Sequence, residues 1–183
     1  MKFDYKITII FLVIVYLYSR PRYITFLPTI PIYDNNEASI VYTKSKFRTQ
    51  EDIGFFTLTD PSIIHCFSPH VQESDSELRT IITHPTLLFI VYFFKYTINR
   101  PRPYQINENI RALDSNTGNT PSLPAGHALQ AYYLARILSK KYPNKKNLFS
   151  DLAEKCDKVR VDAGIHYPSD GAMSKWLVDM LMQ

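Results

Sequence analysis

Six polar side chains sit on otherwise apolar helical faces or at the ends of apolar runs: Lys95, Arg102, His127, Arg160, His166 and Asp170. A lone buried charge is expensive, so groups placed this way must pair or bind something charged. The three cations Lys95, Arg102 and Arg160 outnumber the carboxylate of Asp170, and a bound phosphate would complete the balance. An arginine presents a planar fork that grips phosphoryl oxygens, and a lysine adds a point charge. Histidine is nucleophilic near neutral pH and also suits general acid work. Asp170 follows His166 by four positions, where its carboxylate could accept the proton of the distal ring nitrogen and fix the tautomer. Gly126 opens the helix of His127, and a helix N-terminus offers backbone N–H groups to an oxyanion. Taken singly, Lys95 or Arg102 is an ordinary surface charge and Arg160 with Asp170 an ordinary salt bridge. Their joint spacing argues for a site.

The elements that must position these groups are helical. Residues 85–98 carry a stripe of Leu88, Val91, Lys95 and Ile98 at helical spacing, stopped by Pro101 and Pro103. Residues 104–125 are polar, with a Ser/Asn/Thr/Gly/Pro cluster at 115–124, and form a long loop of the kind that often carries function. A helix over about 127–140 turns His127, Ala131, Leu134 and Leu138 inward. A further helix over roughly 147–163 has an apolar line of Leu148, Leu152 and Val159, beside a line of Ala153, Cys156, Arg160 and Ala163. A last helix starts near Pro168 with Asp170, Met173, Leu177 and Leu181 on one face. Upstream, a helix is expected near 72–83, while the rest of 36–84 gives no clear period, and the proline-rich residues 20–35 suggest a linker or wrapping segment. The expected fold class is an all-α bundle of about five or six helices with an N-terminal hydrophobic helix.

At 183 residues the chain suits one domain with a real core. Its 45% hydrophobic and 21% charged content is that of an ordinary globular protein, and with only five glycines a turn-rich β-sandwich is disfavoured. The net charge of +4 suits anionic substrates or an acidic membrane surface, but no dense basic cluster with interleaved aromatics points to nucleic acid. Cys66 and Cys156 lie far apart and match no metal spacing. Residues 7–18 (ITIIFLVIVYLY) are almost continuously apolar, with Lys2 and Lys6 before them and Arg20 and Arg22 after. No small-residue cleavage site follows, so residues 1–22 are expected to be an uncleaved signal anchor or transmembrane helix, ahead of a catalytic domain over 23–183. If the segment is cleaved, the chain is secreted.

Three motifs carry a resemblance. Lys95-YTINRP-Arg102-Pro103, Pro124-Ala125-Gly126-His127 and Val159-Arg160-VDAGI-His166-YPS-Asp170 follow in order within residues 85–183. They resemble the three signatures of the phosphatidic acid phosphatase type 2 / vanadium-dependent haloperoxidase superfamily. The resemblance implies that His166 attacks phosphorus to form a phosphohistidine. Asp170 orients it, and His127 protonates the leaving oxygen and then activates water. Lys95, Arg102, Arg160 and the Gly126 backbone N–H hold the phosphoryl oxygens, with no metal and no cofactor. The implied substrate is a phosphorylated lipid, an isoprenyl diphosphate or a small soluble ester, and the site is expected on the extracytoplasmic or lumenal side of a membrane. The alternatives are a membrane-anchored phosphate-ligand binder without turnover and a vanadate-dependent haloperoxidase. Two positions depart from the pattern: Ala125 and Val159 each stand where the superfamily usually has serine, which implies weakened phosphate binding or slower turnover. Arg100-Pro101 has the wrong spacing to Lys95 for the motif and is given no role.

Overall fold

Helix boundaries in this protein follow local chemistry closely. The computed structural model describes residues 36–183, all of whose regular structure is helical. Helix α1 spans Glu37–Lys46 and α2 spans Gln50–Thr59. Thr49 starts α2 with a reciprocal cap: its side chain accepts from the Asp52 N–H at 3.1 Å, and Asp52 accepts from the Thr49 N–H at 2.9 Å. A single turn, α3 (Ile64–Phe67), and a 3-10 turn (Ser68–His70) lead to α4 (Asp75–Ile82), which Ser74 and Glu77 cap in the same way. Pro85 opens α5 (Pro85–Ile98), where its missing N–H costs nothing. Asn99 closes it in the left-handed region, at φ 51°.

Pro101 and Pro103 prevent continuation beyond one further turn, α6 (Pro103–Ile106). After the long loop come α7 (Gly126–Lys141), a 3-10 turn (Pro143–Lys145), α8 (Lys146–Asp162) and α9 (Pro168–Leu181). Between α8 and α9, Gly164 sits at φ 80°, and a Cβ there would lie 2.8 Å from Ile110 Cγ2. Only glycine fits that turn, which delivers His166 into the interior.

Helix α8 is the spine. It packs along α7 and also touches α1, α2 and α9. One core layer joins α3, α4, α7 and α8 through Ile63, Phe67, Leu78, Ile82, Leu134, Leu138 and Phe149. Another joins α5, α7 and α9 through Leu87, Val91, Leu129, Leu177 and Val178. Each such fully buried side chain contributes about 1.5–3 kcal/mol of hydrophobic stabilisation.

The expected helices at 85–98, 127–140, 147–163 and from Pro168 onward are present within one or two residues, and the one near 72–83 begins at Asp75. Residues 37–67, which show no clear period, add α1, α2 and α3. Two helical faces are rotated from the expected stripes. In α8 the buried line is Phe149, Ala153, Cys156, Val159 and Arg160, with Leu148 and Leu152 only partly covered. In α9 the buried face is Asp170, Gly171, Ser174, Leu177 and Val178, and Leu181 is exposed. Small residues take part of each buried face, Ala153 and Cys156 in α8 and Gly171 and Ser174 in α9, where neighbouring helices come close. The anchor expected over residues 1–22 and the linker over 20–35 lie outside the described residues. Among those described, no single helix is long and apolar enough to cross a membrane.

Candidate active site

The C-terminal end of α5, the N-termini of α7 and α9 and the C-terminal end of α8 bring the expected polar groups into one region. His166 is buried, with Nδ1 3.0 Å from Asp170 Oδ2 and Nε2 2.9 Å from Arg102 Nη1. A guanidinium can only donate, so Nε2 is the acceptor and Nδ1 carries the proton, which it donates to Asp170. That tautomer leaves a lone pair on Nε2. Asp170 Oδ2 also accepts the Tyr167 N–H at 2.9 Å, so the carboxylate caps its own helix while it orients the histidine. Burial, and then the charges of Arg102 and Lys95, hold His166 well below its usual range, so the ring is neutral at pH 7.

Backbone carbonyls hold the cations in place. Arg102 donates to Thr120 O at 2.7 Å, Ile165 O at 2.7 Å, Thr117 O at 2.9 Å and Thr120 Oγ1 at 3.0 Å. Lys95 Nζ donates to Pro121 O. The long loop therefore supplies acceptors for two cations, and its placement is fixed by Asp60. The Asp60 carboxylate accepts from Ser115 Oγ at 2.7 Å and from the Asn116 N–H at 3.2 Å. The Asp60 carbonyl accepts from His127 Nε2 at 2.9 Å. Burial, followed by the charge of Arg160, pulls His127 down to about 3, against the opposing hydrogen bond to Asp60. Arg160 is fully buried at the end of α8, donating to Thr59 Oγ1 at 2.7 Å and Thr59 O at 2.8 Å. Its Nε has no hydrogen-bond partner among the described residues.

A cavity of about 260 Å³ opens onto this region, lined by Lys95, Arg102, Gly126, His127 and His166. Its apolar wall includes Leu88, Val91 and Tyr92. Asp170 stands behind His166, and Arg160 stands behind the wall rather than on it. Ala125 is the N-cap of α7, and no side chain caps that helix, so its first-turn N–H groups face the site without the oxygen a serine would supply. Val159 is different. It packs with Phe56, Ala163 and Ile165 in an apolar cluster, so a hydroxyl there is not missed by the cavity.

Several partners were not legible as site residues: Thr59 and Asp60 at the end of α2, the loop carbonyls, and Arg100. Arg100 lies outside the motif register, yet it donates to Asp170 Oδ1 at 2.7 Å and to Glu37 Oε2 at 2.8 Å. Carbonyls carry no sequence signature, and Arg100, between Asn99 and Pro101, is marked only by its place two residues before the motif arginine. Cys66 and Cys156, distant in sequence, are both free and buried, with sulfur atoms 3.5 Å apart.

The sequence model of the PAP2 superfamily matches residues 80–178, just over half the chain. Comparison with curated proteins gives no match.

Proposed function

This chain belongs to the PAP2 superfamily, and from that premise we propose that it is a phosphatase acting on phosphate monoesters or diphosphates through a phosphohistidine. The observation that carries this reading is the His166 geometry: a proton held on Nδ1 by Asp170 and a free-electron-pair Nε2 beside Arg102, on the wall of a cation-lined cavity. Arg102 Nη1 donates to that Nε2 lone pair. When phosphate enters, that N–H turns to a phosphoryl oxygen and releases the lone pair for attack.

Nε2 then forms a bond to phosphorus as the ester P–O bond breaks, and His127 gives a proton to the departing oxygen. In the second step His127 takes a proton from water, whose oxygen attacks phosphorus as the P–N bond breaks. Asp170 stabilises the positive charge on the ring through the Nδ1 hydrogen bond. Lys95 and Arg102, with the Gly126 N–H at the start of α7, neutralise the equatorial oxygens. Arg160 adds positive potential from behind the wall. The mixed lining, cationic at His166 and apolar at Leu88, Val91 and Tyr92, supports an ester whose leaving group is at least partly apolar, whether lipid or small molecule. The apolar residues 7–18 would anchor the chain at a membrane, with the site on its extracytoplasmic or lumenal face.

Phosphate release should be measured across lipid phosphates, isoprenyl diphosphates and soluble monoesters. His166→Ala is expected to lower turnover at least about a thousandfold, as removal of a nucleophile does, and vanadate is expected to inhibit. Full activity in His166→Ala would overturn the mechanism. Halide oxidation supported by vanadate would transfer the chain to the haloperoxidase branch. Of the two replaced serines, only Ala125 bears on the site, which weakens the case for a binder without turnover.

A further inference from the structure

The catalytic carboxylate is held by residues that no motif names. Arg100 Nη1 donates to Asp170 Oδ1 at 2.7 Å and to Ser169 Oγ at 2.6 Å, while Nη2 donates to Glu37 Oε2 at 2.8 Å. Glu37 in turn accepts the Ser169 N–H at 2.9 Å and the Ser169 hydroxyl. The Arg100 guanidinium also lies over the Tyr167 ring, 3.8 Å from its centroid. Arg100 is 7% exposed, so these contacts form in a poorly solvated place where charge pairing is strong. Glu37 is the first residue of α1, far outside the matched residues 80–178. It caps the N-terminus of α9 from another part of the chain.

We propose that Glu37 and Arg100 form a positioning clamp that keeps Asp170 ionised and oriented, and so keeps the His166 proton on Nδ1. The inference rests on the phosphohistidine reading. The physical reason is a tautomer argument. Asp170 is fully buried, and burial favours its neutral form. A protonated Asp170 would donate to Nδ1, move the ring proton to Nε2 and remove the attacking lone pair. Arg100 is the charge in direct contact with the carboxylate that opposes this. The other groups facing Asp170 are His166 and the Tyr167 N–H on its own side, Arg102 and Lys95 from the α5 side, and Asp157 from α8. Asp157 is a like charge and works against ionisation, which leaves more for Arg100 to offset. Glu37 fixes where the guanidinium stands: without it, Arg100 keeps its charge but loses the anchor that aims Nη1 at Asp170.

The test uses the whole chain with p-nitrophenyl phosphate, and ¹⁵N NMR of the His166 ring. Arg100→Gln is expected to lower kcat about 10- to 100-fold with little change in KM, as loss of an outer-shell partner does. The acid limb of the kcat profile should move to higher pH, and the ¹⁵N shifts should report a proton gained by Nε2. Arg100→Lys, which keeps the charge, should recover most of the tautomer signal, and Glu37→Gln should give a smaller loss of the same kind. These two milder variants also decide the matter if Arg100→Gln does not fold. His166→Ala separates the two claims. If it retains turnover, the phosphohistidine reading falls. If it is inactive while Arg100→Lys, Arg100→Gln and Glu37→Gln keep the parent kcat, pH profile and ring shifts, the clamp is overturned. The ring shifts read the clamp even on a substrate that turns over slowly.

Discussion

In the proposed mechanism His127 has to acquire the proton it delivers, yet it is held near 3 by burial and by the cations Arg160, Arg102 and Lys95. At pH 7 it is therefore neutral, with Nε2–H donated to the Asp60 carbonyl. A bound dianion changes this balance, because it places negative charge among the same cations and favours the protonated ring. Anion binding should then take up a proton near neutral pH. Calorimetry with sulfate, which does not itself titrate in this range, should show binding enthalpies that vary with the ionisation enthalpy of the buffer, by an amount approaching one proton per anion. His127→Gln should remove that dependence. If uptake persists in the variant, another group carries the proton and His127 is not the acid. The six polar residues are legible in the sequence because a charge on an apolar stripe is conspicuous. What holds them is not. Lys95 and Arg102 are held by carbonyls of Thr117, Thr120, Pro121 and Ile165, and any residue can supply a carbonyl.

Among the elements, α5, α7, α8 and α9 are readable because proline, glycine and an apolar period mark them, whereas α1 and α2 are not. In α2 the run Ile53-Gly54-Phe55-Phe56 is followed by Leu58, which scatters apolar residues around the helix, and its Leu58 is exposed. Yet these two helices supply Glu37, Thr59 and Asp60. The packing of α8 on α9 depends on one position that sequence pattern treats as a weak spot. Gly171 lies inside α9, where glycine ordinarily costs about 0.5–1 kcal/mol relative to alanine. Here the sign reverses, because a Cβ at Gly171 would lie 2.0 Å from Asp157 Oδ1. Asp157 has a short side chain fixed by the Tyr132 hydroxyl at 2.9 Å, so it cannot swing away freely. Gly171→Ala should destabilise the protein by about 1–3 kcal/mol, the usual cost of overpacking, measured by urea denaturation. Asp157→Ala in the same chain should restore most of that loss. A Gly171→Ala protein as stable as the parent would mean that the two helices do not approach this closely.

At the scale of the molecule, the same Asp157 sets a pH dependence that opposes the one set by the histidines. Burial pushes its carboxyl up to about 6, and Oδ1 has no hydrogen-bond partner among the described residues. An acid raised in the folded state contributes stability below its unfolded value of 3.8, which is lost as pH rises through about 6. His127 acts the other way: with its folded value depressed to about 3, its contribution is present above 6.5 and is lost as pH falls. Between about 4 and 6 the two windows overlap with opposite sign. The raw curve of stability against pH therefore hides both, and the difference between parent and variant is the quantity to measure. A shift of about two pH units corresponds to at most about 3 kcal/mol, less once solvent screening at a half-buried site is allowed for. Asp157→Asn keeps the shape and the acceptor for Tyr132 but cannot ionise. It should exceed the parent by about 1–2 kcal/mol at pH 7.5 in urea denaturation, and the gap should close at pH 4, where the parent carboxyl is protonated. A gap of the same size at both pH values would assign the effect to packing against Gly171 instead of to buried charge.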